Sequence, residues 1–298
     1  MIGHWQTISA ALFPPPAVHF ERERWETPDG DFIDLDFAGD ARAPLMVLLH
    51  GLEGSSDSHY ARLLARAMPA AGWRVAIPHW RGCSGEPNRK PRAYHSGDTK
   101  ELDWILRRFH ENAGHQVDVI GVSLGGNVLL KWLGERAGEA TAIVRRAAAI
   151  SAPLDLAAAG AALDRGLSRL IYTRMFLSTL KPKSLAQLDR FPGIFDRATL
   201  SRSTTFREFD NLYTAPMHGF RDVDHYWRSS SSGPWLERIA VPTLVLNARN
   251  DPFLPERALV DASRKTAPNV LLEFPRTGGH VGFRGRWLAQ RLIKFFQA

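Results

Sequence analysis

Apolar positions along this chain follow two periods in turn. Val18–Glu26 and Phe32–Phe37 alternate apolar with polar residues, and Thr27-Pro28-Asp29-Gly30 between them is a turn sequence, so a β-hairpin is predicted. Leu45–Leu49 is a continuous apolar run, the pattern of a strand buried on both faces. His59–Ala71 has helical character, Trp73–Pro78 reads as a strand, and Leu102, Ile105, Leu106 and Phe109 recur at helical spacing. Val117–Val122 is a strand followed by a helix over Leu124–Leu133, and Arg146–Ile150 is again strand-like. From Ala152 to Trp235 the alternation stops and amphipathic pieces such as Leu167–Leu180 take over. It resumes with strand Thr243–Ala248, helix Pro255–Thr266, strand Val270–Phe274 and a last helix over Arg286–Phe296.

Eight strands separated mostly by helices predict an α/β fold with a mostly parallel sheet and helices on both faces. The interruption between the sixth and seventh strands predicts an inserted helical cap. The expected organisation is an N-terminal arm (1–17), a first core part (18–151), the cap (152–235) and a second core part (236–298). In such a sheet the ligand site lies beyond the carboxyl ends of the strands. Reactive residues should therefore sit just after strands.

Gly121-Val122-Ser123-Leu124-Gly125 meets that condition, at the junction of a strand and a helix. A sharp turn there exposes a serine at the sheet's upper edge, and glycines on either side admit close backbone approach. The plainer alternative is a Gly-rich turn that only packs. A serine hydroxyl needs a base, and this fold orders the chain as serine, acid, histidine. Of the eleven histidines only His218, His225 and His280 follow Ser123, and only His280 lies after the last strand. Asp251 follows the seventh strand directly and is the preferred acid, its other reading being a turn residue before Pro252. Asp222, Asp224, Glu256 and Glu273 are rivals, placed in the insertion, at a helix start or within a strand. Oxyanion donors are expected from the backbone N–H groups of Leu124 and Leu52, the latter in His50-Gly51-Leu52-Glu53-Gly54 after the third strand. His50 orders that loop and, with Gly51, is placed at the pocket edge. Trp80, Phe176 and Phe220 are taken for an acyl pocket, against their plainer reading as core aromatics.

The composition narrows the classes. With 44% hydrophobic and 23% charged residues the chain is of globular type. A formal charge of +7 comes from scattered Lys and Arg without a block of like charges, which argues against a nucleic-acid partner and leaves weak contact with anionic surfaces open. Cys83, the single cysteine, excludes an internal disulfide and reads as a loop residue. Met1–Phe20 lacks the positive n-region of a signal peptide and its short apolar stretch Ile8–Phe13 runs into Pro14, Pro15 and Pro16, and no apolar run reaches the roughly 18 to 20 residues of a membrane span, so a cytoplasmic location is expected. His-Glu-x-x-His and cysteine pairs do not occur, and neither metal nor cofactor is expected.

Longer strings carry a family resemblance. His50-Gly51-Leu52-Glu53-Gly54-Ser55-Ser56, Arg81-Gly82-Cys83-Ser84-Gly85-Glu86-Pro87-Asn88-Arg89, Tyr94-His95-Ser96-Gly97-Asp98-Thr99, Thr214-Ala215-Pro216-Met217-His218-Gly219-Phe220 and Asp251-Pro252-Phe253 resemble the YheT-like hydrolases, bacterial relatives of the eukaryotic abhydrolase-domain lipases. The resemblance implies the α/β-hydrolase fold, a cytosolic esterase-type activity without cofactor, and a triad on Ser123, Asp251 and His280. Asn250 departs from the pattern, where relatives often carry a second Asp, and leaves Asp251 as the only acid there. The expected substrate is a small acyl ester or lipid ester. Acyl transfer to another acceptor, lipase or phospholipase action, and a non-catalytic binding role are the alternatives. The Arg81–Thr99 segment has no role that spacing alone supplies.

Overall fold

A computed structural model describes all 298 residues. The strands are β1 (Glu21–Glu26), β2 (Phe32–Ala38), β3 (Leu45–Leu49), β4 (Arg74–Pro78), β5 (Val117–Val122), β6 (Val144–Ile150), β7 (Thr243–Leu246) and β8 (Val270–Glu273). They form one sheet in the order β1-β2-β4-β3-β5-β6-β7-β8. β2 is antiparallel to both β1 and β4, and every other pairing is parallel. Thus β2 alone runs against the rest. The edge strand β1, Glu-Arg-Glu-Arg-Trp-Glu, is exposed except at Trp25. Such charge discourages pairing with another edge.

The helices that matter to the site are α1 (Ile2–Leu12), α2 (His59–Ala70), α3 (Thr99–Ala113) and α4 (Leu124–Arg136). The sheet separates two cores. α3 and α4 bury Leu102, Phe109 and Leu129 against one face, with Val47 and Val119. On the opposite face, α2 and the C-terminal helix Trp287–Gln297 bury Leu64, Met68, Leu292 and Phe296 against Met46 and Ile120. Between β6 and β7 the regular elements are all helical, from Leu156 to Arg238, including π-helical turns at Arg169–Thr173 and Asp210–Thr214. No helix is long and apolar enough to cross a membrane.

Residues 1–17, expected as an arm, contain α1 instead. Its packing is inverted relative to an ordinary surface helix. Gly3, Gln6 and Thr7 are buried, whereas Trp5 and Leu12 face outward. The polar inner face has hydrogen-bonding work to do at the site.

The Arg81–Thr99 segment is pinned to the hairpin by a buried ionic cluster. Arg81 reaches Glu101 at 2.6 Å and Asp31 at 2.8 Å. Asn88 donates to Asp31 at 2.9 Å and to the Phe32 carbonyl at 2.7 Å. Asp98 caps α3 by accepting the Glu101 amide and pairs with Arg92.

Candidate active site

Ser123 stands at the junction of β5 and α4 with φ 54° and ψ −119°. Positive φ is sterically costly for a side-chain-bearing residue and persists only where the surroundings enforce it. Here the Ser123 amide donates to the Ile150 carbonyl at 2.8 Å, and its carbonyl accepts from Asn127 at 3.0 Å. The turn is so tight that a Cβ at Gly121 would lie 2.6 Å from the Gly125 carbonyl oxygen, and one at Gly125 would lie 2.6 Å from that of His50.

His280 and Asp251 converge on this serine from the loops after β8 and β7. His280 Nε2 is 2.9 Å from Ser123 Oγ, and His280 Nδ1 is 2.9 Å from Asp251 Oδ2. The Asp251 side chain is fully buried, and its other oxygen accepts the Phe253 amide at 2.8 Å. An ionised carboxylate only accepts, so Nδ1 carries the proton and Nε2 is left to accept from the serine hydroxyl. The Phe253 ring stacks on the imidazole with centroids 4.0 Å apart. The four rival carboxylates are engaged elsewhere: Asp222 caps the helix Val223–Ser230, while Asp224, Glu256 and Glu273 pair with Arg207, Arg249 and Arg291.

The histidine loop is held by side chains that the motif pattern does not single out. Thr7 Oγ1 accepts the His280 amide at 2.8 Å, and Gln6 Oε1 accepts the Gly278 amide at 3.2 Å. Ser151 Oγ accepts the Val281 amide at 3.1 Å. Asn250 accepts the Gly279 amide at 3.0 Å and donates to Gln6 at 2.9 Å. An ionised Asp at position 250 has no N–H for that second bond. Helix α1 thus reaches the site through its polar face. A Cβ at Gly3 would collide with the Asn250 carbonyl, so the helix packs there on bare backbone.

Among the amides of residues 51–54, in the loop after β3, that of Leu52 is free. The amides of Gly51, Glu53 and Gly54 donate to Tyr60, Tyr94 and the Gly51 carbonyl. That of Leu52 has no acceptor in the protein, nor has that of Leu124 at the start of α4. Both residues line the same cavity as Ser123 and His280. Glu53 has φ 54°, in the left-handed region. Tyr94 Oη accepts its amide at 2.8 Å and donates to its carboxylate at 3.0 Å. Lys183, from the helix Arg174–Arg190, lies 2.8 Å from the same carboxylate. The Arg81–Thr99 segment therefore has a role at the site: its Tyr94 braces the loop that carries Leu52.

The cavity has a volume of about 560 Å³. Leu156, Leu163, Phe176, Leu180 and Phe206 of the helical segment line it together with Ser123 and His280. Among the expected pocket residues, Phe176 lies in the wall and four others do not. His50 is fully buried, accepting the Trp80 amide at Nε2 (3.1 Å) with Nδ1 2.8 Å from the Gly51 carbonyl, and burial pushes its pKa down to about 3. Trp80 is buried too, donating its indole N–H to the His50 carbonyl at 2.8 Å. Gly51 backs directly onto Ser123 rather than onto the cavity. Phe220 stands one layer out, against the rings of His95 and Tyr226 that do form the wall. An aromatic close to a motif in the chain is thus no guide to the lining. Cys83 is in the wall, but burial pushes its thiol up to about 12, which leaves it a poor nucleophile.

A doubly wound sheet with a serine on a strand-to-helix elbow, and an aspartate and a histidine on later loops, defines the α/β-hydrolase class. The family model described as alpha/beta hydrolase fold matches residues 44–284, and the chain belongs to that family. It is 39% identical over 305 aligned residues to YheT of Escherichia coli (strain K12), a protein whose name carries only a provisional esterase assignment, covering 97% of this chain and 88% of that one. Identity to phospholipase ABHD3 of Mus musculus is 30%, over 96% of this chain and 73% of the relative. The Pyrococcus furiosus esterase Pf2001 shares the fold, with a TM-score of 0.61 and 16% identity over 96% of this chain and 98% of that structure.

Proposed function

We propose that this chain is a serine hydrolase of carboxylic esters, working through an acyl-enzyme on Ser123. The observation that carries the reading is the unbroken series Ser123, His280, Asp251, with both links at 2.9 Å. In this scheme Ser123 Oγ attacks the ester carbonyl carbon while His280 Nε2 takes its proton. Asp251 holds the imidazole tautomer and stabilises the imidazolium. The Leu52 and Leu124 amides receive the oxyanion, where preorganised donors act most strongly. Collapse breaks the C–O bond, and His280 gives its proton to the departing alcohol. Water, deprotonated by His280, then attacks the acyl carbon and releases the acid and Ser123.

Segment 152–235 acts as the cap in this reading, because its side chains complete the cavity over Ser123. The apolar wall supports an acyl chain as the group held there, and a volume near 560 Å³ is in the range of small-molecule sites. The names of the relatives, an esterase and a phospholipase, support the ester class and extend it to lipid esters. The lone, buried Cys83 fits a reducing cytoplasm. The test is labelling by a fluorophosphonate, followed by a panel of esters of increasing acyl length. Wild type should be labelled and turn over ester, and Ser123→Ala and His280→Ala should not turn over. Full ester turnover by Ser123→Ala would remove the proposal.

A further inference from the structure

Helix α1 and the segment Arg165–Met175 lie side by side, and both expose large apolar side chains, the second together with three arginines that make no ion pair. On α1, Trp5 is 63% exposed and Leu12 66%, and Phe13 just beyond is 76% exposed. On the second segment Leu170 is 70% exposed and Met175 50%, with Leu167 also exposed. The two pieces touch through His4 Nδ1, 3.1 Å from the Tyr172 hydroxyl, and through Ile8, which packs beside Tyr172 and Phe253. Because α1 spends its polar face on the histidine loop, its apolar side has nowhere to go but outward.

The charge carried by the two segments themselves is of one sign, and the nearest exposed acid, Glu208, is held by the Thr204 amide and hydroxyl at 2.6 and 3.2 Å. Neither 1–20 nor 165–188 contains an Asp or Glu. Arg165, Arg169 and Arg174 are exposed, and the only side-chain partner of the three is the Thr204 hydroxyl, 2.9 Å from Arg169. Asp164, the neighbouring acid, is turned to the amides of Phe206 and Arg207 at 2.7 and 2.9 Å.

We propose that this face docks the protein on an anionic lipid surface. Trp, Phe and Leu side chains enter the headgroup boundary, as on interfacial helices, while arginines meet lipid phosphates. A second copy of the chain fits less well, since a two-fold contact would set the three arginines against their own images. The location also suits a lipid-facing site. Phe176, next to Met175, lines the cavity, and Tyr172 contacts Phe253, which stacks on His280. Docking does not depend on the ester-hydrolase reading, and its assay measures binding alone.

The test is co-sedimentation of the full chain with vesicles of phosphatidylcholine alone, and of phosphatidylcholine mixed with phosphatidylglycerol. Wild type should sediment with the mixed vesicles and much less with the neutral ones. The double variant Trp5→Glu/Leu170→Glu should reduce the bound fraction about tenfold. Arg165→Gln/Arg169→Gln/Arg174→Gln should abolish the preference for the anionic vesicles. Circular dichroism melting confirms that each variant is folded. Failure of wild type to bind, or equal binding by wild type and both variants, overturns the proposal. So does a wild-type dimer in solution that the apolar double variant splits.

Discussion

Replacing Thr7 by valine tests whether α1 positions the site or merely covers it. The hydroxyl accepts the His280 amide and donates to the Gly3 carbonyl, both at 2.8 Å. Valine keeps the shape and removes the acceptor. An amide left without a partner in a buried setting costs about 1–3 kcal/mol. That penalty can appear in two places. If the loop stays put, the folded state carries it and Tm falls by a few degrees. If the loop moves to find another acceptor, His280 moves with it, and a displacement on the order of 1 Å costs roughly a hundredfold in rate. Both outlets are open to a loop held by single hydrogen bonds, so the expected result is a lower Tm together with a kcat/KM reduced about tenfold to a hundredfold. The assay is hydrolysis of a water-soluble short-chain ester, with the rate of fluorophosphonate labelling as a second readout. Thr7→Ser, which retains the oxygen, should recover most of the rate. A Thr7→Val protein with wild-type kcat/KM would refute the positioning role, whatever its Tm.

The brace on the loop proposed to receive the oxyanion gives a second prediction. Tyr94→Phe leaves the Glu53 amide and carboxylate without their shared hydroxyl, and kcat should fall about fivefold to thirtyfold, from a loss near 1–2 kcal/mol, with KM little changed. Unchanged kcat in a steady-state assay would show that Leu52 needs no such support. A third concerns pH. Burial pushes the Asp210 carboxyl from 3.8 up to about 6, although Thr214 and Trp227 donate to it at 2.7 and 2.8 Å. A folded value above the unfolded one means that its stabilising contribution is present at low pH and is lost as pH rises through about 4 to 6. Asp210→Asn should therefore gain stability relative to wild type over that window and hold the gain above it. Urea midpoints that differ by the same amount at about pH 4 and about pH 8 would contradict this.

What the sequence made legible has a common physical cause. Buried strands are runs of apolar residues bounded by turn chemistry, and β3 and β5 have the bounds that such runs predict. That Ser123, Asp251 and His280, the proposed triad, would lie together could be read because chain order and strand ends are one-dimensional properties. The orientation of β1 was less accessible, since a hairpin signal says that two strands oppose each other and not which of them opposes the sheet. The pocket aromatics were legible only in part, Phe176 lining the cavity and Trp80 and Phe220 not, because lining depends on which layer a side chain occupies, and Phe176 and Phe220 look alike in a string of letters.

Helix α1 was hidden by its own logic. Periodicity arguments assume that the apolar face of a helix turns inward and the polar face toward water. Here the inward face carries Gln6 and Thr7 because the loops beneath it offer backbone amides at Gly278 and His280 that need acceptors. Burying apolar side chains against those amides would leave donors unpaired, at about 1–3 kcal/mol each. The helix is therefore oriented by hydrogen-bond demand, and its apolar residues are displaced to the surface as a consequence. The same inversion that concealed α1 from a pattern reading supports the catalytic histidine candidate from below and leaves Trp5 and Leu12 outward. Position 250 fits it as well, since with Gln6 Oε1 accepting the Gly278 amide, Asn250 both donates to Gln6 and accepts from Gly279.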